Sequence, residues 1–270
     1  RRSPAARSIG ATSLAGCPMT EPESLVRLER MGAVAEMVLN RPARKNAITG
    51  PLVQAASAAL AEAGADAAVG AILVRGEGGS FCSGLDLKEF NADPRPEWLP
   101  SFQGTWRAFH EQVFAFDKPI VCALEGFAIN AGSAWALSSD FIVVGESAFL
   151  QVAEVRQGRP APMNLAWLRL RYGDAIARRV ALLGRKIPGA ELARLGIALE
   201  CVPDAEVLTT ARDLAAELAA IPAQGLAITK SVLRTLDLPG GPNEWFQRTA
   251  EAVQGRSSDR APLPSVKGHP

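Results

Sequence analysis

Residues 118–144 read KPIVCALEGFAINAGSAWALSSDFIVV, and this stretch decides the fold. Ile120-Val121-Cys122-Ala123-Leu124 is an unbroken apolar run of strand length, and Phe141-Ile142-Val143-Val144 is a second. Runs this short and this apolar suit strands covered on both faces, as in a parallel sheet. Between them come Gly126 and a small-residue segment around 132–137, which suit a turn followed by a helix. Glu125 and Asp140 interrupt the stretch, so it cannot cross a bilayer as about 20 continuous apolar residues would.

The same alternation extends outward. Residues 24–40 read as a hairpin turned at Met31-Gly32, and Arg41-Pro42-Ala43-Arg44-Lys45-Asn46-Ala47 as a loop. Thr49 can cap a helix opened by Pro51 and running to about Ala63. Ala71-Ile72-Leu73-Val74 is a further buried strand, followed by the turn Gly76-Glu77-Gly78-Gly79. A helix near 101–116 places Phe102, Trp106, Phe109, Val113 and Phe116 at helical spacing. Strand and helix in alternation predict an α/β fold with crossover units. After Pro160 helical segments dominate (near 163–171, 174–183, 189–195, 205–220, 222–236 and 243–254), with 197–202 as the one further strand. The expected organisation is an extension over 1–18, a core over 19–195 and a mainly helical region over 196–270, its last residues Pro-rich and extended.

The chain's 270 residues, 48% of them hydrophobic, are enough for a full core. Net charge is +1 and the charges are interspersed, so composition offers no basic stripe for nucleic acid. Cys17, Cys82, Cys122 and Cys201 are widely spaced, and only His110 and His269 could complement them. That pattern argues against a metal site or a disulfide scaffold and suits a reducing cytoplasm; Cys122 reads as core. The first 18 residues are basic, rich in Ser and Ala and free of acids. They lack an apolar stretch of signal-peptide length, and read as a disordered extension ahead of Met19.

Two turns stand out for chemistry: Ser80-Phe81-Cys82-Ser83-Gly84-Leu85-Asp86-Leu87-Lys88-Glu89-Phe90 and Glu125-Gly126-Phe127-Ala128-Ile129-Asn130-Ala131-Gly132-Ser133-Ala134-Trp135. Each joins an apolar strand to a helix through glycine. A helix start leaves N–H groups unpaired at the positive end of its dipole. Two such starts facing one another can hold an oxygen that gains negative charge. Either turn alone is more often a plain connection.

Together, in this order, the turns resemble the crotonase superfamily of enoyl-CoA hydratases and isomerases, over about residues 25–230. The resemblance includes Arg41-Pro42…Asn46-Ala47, FCSGLD, KPIVCALEGFAINAG, Ser138-Ser139-Asp140, Ala153-Glu154-Val155-Arg156-Gln157-Gly158 and Gly184-Arg185-Lys186-Ile187-Pro188-Gly189-Ala190 with Ala193–Ile197. It implies a crotonase-like ββα spiral core with a helical C-terminal region that packs homotrimers, often as dimers of trimers. It further implies an acyl-CoA thioester whose carbonyl lies between the N–H groups of Leu85 and Ala131, with Ser83, Gly84 and Asp86 around it. Coenzyme A is then part of the substrate and no separate cofactor is expected, nor a metal, nucleic acid or membrane partner. Arg44, Lys45 and Ala47 would lie near the adenine and phosphates, with Lys88 after the first turn and Lys230 placed to meet the 3′-phosphate.

Hydration of an enoyl thioester needs two acids close together, one to activate water and one to deliver a proton. Of the two positions the family uses, one holds Ala134 and the other Glu154. A single acid is better suited to moving one proton between carbons, so Glu154 is expected to act as base and then as acid. Its ordinary alternative is a surface glutamate paired with Arg156 or Arg159. Trp135 either shapes an acyl pocket or fills the core, Asp140 reads as a capping residue, and Asp86, Glu89, Glu111 and Glu125 as helix-start or surface charges. Hydratase activity, a turnover-deficient acyl-CoA-binding protein, and a thioester hydrolase or decarboxylase stay open.

Overall fold

In the computed structural model, residues 24–236, 243, 244, 246–248 and 251 are described. The expected extension over 1–18, Cys17, His269 and the Pro-rich end lie outside them, as does much of the helix expected at 243–254.

The chain opens with β1 (Val26–Met31), β2 (Val34–Leu39), α1 (Gly50–Ala65), β3 (Ala71–Gly76), the one-turn α2 (Leu87–Phe90) and α3 (Phe102–Ala115). It continues with β4 (Ile120–Leu124), β5 (Phe127–Ile129), α4 (Ala131–Ser138), β6 (Phe141–Gly145), β7 (Phe149–Gln151), α5 (Pro162–Leu183), β8 (Lys186–Pro188), α6 (Gly189–Arg194), β9 (Glu200–Val202), α7 (Val207–Ala219) and α8 (Ala223–Leu236). As the sequence indicates, Thr49 caps α1, its side chain accepting from Leu52 N–H at 3.3 Å with Pro51 in the first turn.

Two sheets form. The larger runs β1-β2-β3-β4-β6-β9 and is parallel except for the β1–β2 hairpin. The smaller runs β5-β7-β8. At Glu125-Gly126 the chain leaves the large sheet and enters the small one, Gly126 taking φ +58 where an added Cβ would sit 2.5 Å from the Gly79 carbonyl. The move repeats: β3 leads to a bridge at Cys82 and then α2, β4 to β5 and α4, β6 to β7 and a 3₁₀ turn at 154–157. This is the expected ββα spiral.

Three strands of the small sheet were not foreseen. They are three residues long, too short for a periodic signal to outweigh their Gly and Pro neighbours. The expected boundary at 195/196 falls inside a layer of the core. β9 is the sixth strand of the large sheet, and Val207, Ala211 and Ala215 of α7 pack on Ala71, Leu73, Val121 and Val143. Glu36, fully buried in β2, strengthens this layer by pairing with Arg75 and with Arg212 of α7. No helix among the described residues is long and apolar enough to cross a membrane.

Candidate active site

The first turn is fastened on two sides. Ser83 N–H donates to the Lys45 carbonyl at 3.0 Å, Ile48 N–H to the Gly84 carbonyl at 2.7 Å, and Asp86 N–H to the Ile48 carbonyl at 2.9 Å. Because the groups flanking Leu85 are used on Ile48, the N–H of Leu85 itself points away from that loop. On the other side Cys82 pairs with the second turn, accepting from Ile129 and donating to Phe127, both at 3.0 Å. Glycine is required at both contacts. A Cβ on Gly84 (φ +92) would lie 2.8 Å from the Ile129 carbonyl and 3.7 Å from Ala131 N, and one on Gly132 2.5 Å from the Cys82 carbonyl. The N–H groups of Leu85 and Ala131 have no acceptor among the described residues.

The local form of the first turn differs from expectation. Helix α2 has only four residues and starts after Asp86, so Leu85 sits in extended backbone before the helix.

Asp86 is corrected from substrate contact to internal clip. Its side chain is 1% exposed, held by Arg44 in two contacts (2.6 and 3.2 Å) and by Arg41 at 3.1 Å, and it caps α2 by accepting from Glu89 N–H. Burial pushes its carboxyl up, but the Arg44 bonds, the Glu89 N–H and both arginine charges hold it below the usual aspartate range. Arg44 spends its guanidinium on Asp86 while its side chain stays 43% exposed. The Ala47 carbonyl accepts from Arg41 at 2.5 Å, and Lys45 and Lys88 are exposed cations of this edge beside Arg44.

Lys230 is corrected for the same reason. It donates to Asp140 at 2.6 Å and to the Lys118 carbonyl at 2.8 Å, and its side chain is 15% exposed. Asp140 also accepts from Ile120 N–H and Arg171, so its structural reading stands. Trp135, at 2% exposure, packs edge-on against Phe109 with centroids 4.8 Å apart and lies 6.1 Å from Trp106. It is core between α3 and α4, not a pocket wall. Ala134 beside it is 1% exposed.

Asn130 carries the second turn in a conformation suited to glycine, φ 54 and ψ −116. Such strain costs about 1–3 kcal/mol and persists only where surroundings over-determine it. Here they do: its N–H donates to the Gln151 carbonyl (2.8 Å) and its Oδ1 accepts from Ala153 N–H (2.8 Å). Its carbonyl accepts from Ala134 N–H (3.2 Å) and from Asn164 Nδ2 (2.9 Å).

Glu154 opens the 3₁₀ turn after β7. Oε1 lies 3.4 Å from Asn164 Nδ2, and Oε2 is buried without a hydrogen-bond partner among the described residues. Arg156 turns away and donates to the Leu183 carbonyl. Burial lifts the Glu154 carboxyl to about 7 despite a backbone hydrogen bond that favours the charged form. A carboxyl in that state can both accept and return a proton near neutrality.

Asn164, 2% exposed, lies on the first turn of α5, where the sequence reads as a loop over 158–164 near the acyl group, and its side chain was given no role there. Its signal was a polar residue among Met163, Ala166, Trp167 and Leu168 on a buried helix face. His110 is not part of the site. It is fully buried, accepts from Trp167 Nε1 at Nδ1 (2.8 Å), and burial drives it down to about 3, so it is a neutral core residue.

The family model described as enoyl-CoA hydratase/isomerase matches residues 29–251. The chain is 30% identical over 235 residues to the 1,2-epoxyphenylacetyl-CoA isomerase of Escherichia coli, covering 84% of this chain and 88% of that one. It is 33% identical over 225 residues to a probable enoyl-CoA hydratase of Rhizobium meliloti, covering 82% and 86%. A crystal structure of an enoyl-CoA hydratase from Mycobacterium avium superposes with a TM-score of 0.71 at 28% identity, covering 87% and 98%.

Proposed function

This chain belongs to the enoyl-CoA hydratase/isomerase family and is an acyl-CoA enzyme of that type, and we propose that it works as a single-acid, isomerase-like member. The thioester oxygen is held by the N–H groups of Leu85 and Ala131, which stabilise charge as an enolate forms. Glu154 removes the C2 proton of a 3-enoyl thioester, the electrons spread into a dienolate, and the same carboxyl returns the proton at C4. The double bond moves from C3–C4 to C2–C3, and no other atom enters or leaves.

The observation that carries this reading is the pairing of buried Ala134 with a half-buried Glu154 whose carboxyl lies near 7 and keeps one oxygen unpartnered. Hydration wants a second acid, and alanine supplies none. Lys45, Lys88 and the Ala47 and Ser83 backbones are the candidate contacts for the coenzyme A portion. The expected homotrimer, or dimer of trimers, belongs to the same proposal.

The test is turnover of a panel of 2-enoyl and 3-enoyl thioesters by the wild type and Glu154→Gln. Conversion of 3-enoyl to conjugated 2-enoyl thioester is expected, reduced about 10²- to 10⁴-fold in the variant. Hydration without isomerisation, release of free coenzyme A or carbon dioxide, binding without turnover, or an unaffected Glu154→Gln would each overturn it.

A further inference from the structure

We propose that Asn164 is a positioning residue that sets, through one amide, the directions of both the Ala131 N–H and the Glu154 carboxylate. The inference rests on the single-acid reading above, and deepens it.

Asn164 Nδ2 lies 2.9 Å from the Asn130 carbonyl and 3.4 Å from Glu154 Oε1. Both partners are acceptors, so the NH2 end of the amide must face them; the reverse orientation would oppose oxygen to oxygen. The Asn130 carbonyl and the Ala131 N–H belong to one planar trans peptide unit and point in opposite directions. Fixing that oxygen therefore fixes where the Ala131 N–H aims. Asn130 needs such restraint, because its φ/ψ is one a residue with a Cβ avoids.

The cost of the arrangement is visible in the same side chain. Asn164 Oδ1 is buried without a donor among the described residues, on a helix face otherwise made of Met163, Ala166, Trp167 and Leu168. An apolar residue would pack there without an orphaned oxygen. The asparagine is kept at a cost in packing, and what it supplies is restraint of the strained Asn130 peptide together with alignment of a base with an oxyanion donor.

The test is Asn164→Leu, which suits the apolar face, beside Asn164→Asp, which keeps the shape and removes the donors. Both are assayed with 3-hexenoyl-CoA for kcat, KM and pH profile, together with thermal unfolding. For Asn164→Leu the expectation is an unfolding temperature equal to or above wild type, kcat lower by about 10- to 100-fold, and KM little changed. Because the N–H favours the ionised carboxylate, the acid limb of the profile should move to higher pH in Asn164→Leu. It should move further in Asn164→Asp, where a second acid adds repulsion. An unaltered kcat and profile in folded Asn164→Leu would overturn the proposal. So would losses in both variants that merely follow the folded fraction with the limb unmoved. If Glu154→Gln keeps full turnover the single-acid reading itself fails; an inactive Glu154→Gln beside an unaltered Asn164→Leu removes only the positioning role.

Discussion

A glutamate buried at the end of a strand-to-turn connection is an unusual place to leave a carboxyl half satisfied. Glu154 moves from an ordinary value of 4.5 to about 7 because burial disfavours its charge. As the ionised form is the base, kcat/KM should rise with pH through about 7 and level off above it. A profile flat from pH 5 to 9 would contradict the assignment. The same shift has a stability consequence. Between 4.5 and about 7 the folded protein keeps a proton that the unfolded chain has released, so stability falls as pH rises through that window. Glu154→Gln should therefore be more stable than wild type above pH 7, by at most about 3 kcal/mol, and equally stable near pH 4. Calorimetry at the two pH values checks this.

At the scale of elements, the first turn keeps its place because Asp86 ties it to the loop before α1. Removing one partner of a buried charge pair costs about 3–5 kcal/mol when the other is left stranded. Arg41 retains Glu89 and Arg44 is partly exposed, so Asp86→Ala should cost about 3 kcal/mol in urea unfolding at pH 7. That stabilisation is present above the ordinary aspartate range and is lost as acid protonates the depressed carboxyl. The two turns are pressed together through glycines. Gly132→Ala, with its new Cβ 2.5 Å from the Cys82 carbonyl, should push the turns apart and lower kcat more than stability. Equal kcat in a folded Gly132→Ala would show that the contact does not set the site.

Across the whole molecule, α8 is attached to the sheet by charge. Against the upward push of burial, Lys230 and Arg171 hold Asp140 ionised at the start of β6. Lys230→Met should destabilise the protein by about 3 kcal/mol and leave KM for a coenzyme A thioester unchanged; a raised KM in a stable variant would return Lys230 to the binding site. Ile228 and Leu233 of α8 are 56% and 64% exposed, apolar area that an assembly would cover. Sedimentation of the full chain is expected to report three or six copies, and a monomer at micromolar concentration would refute that part of the proposal.

Local pattern and turn chemistry carried much of the fold: the buried strands 71–74, 120–124 and 141–144, the Thr49 cap and the two glycine turns, while the pair of positions with one acid and one alanine came from the family resemblance. Those features are short-range, written in apolar runs and in residues with special backbone freedom. What the linear chain left undetermined was which polar groups face each other once it is folded. Arg44 and Asp86 are 42 residues apart and Lys230 and Asp140 are 90 apart, and such pairings decide whether a charge is available to a ligand or already neutralised. Asn164 and Asn130, 34 residues apart, meet only because α5 packs on α4. The strength of Glu154 as a base, too, comes from desolvation by neighbours distant in sequence, and exposure to water is a property of the packed molecule alone.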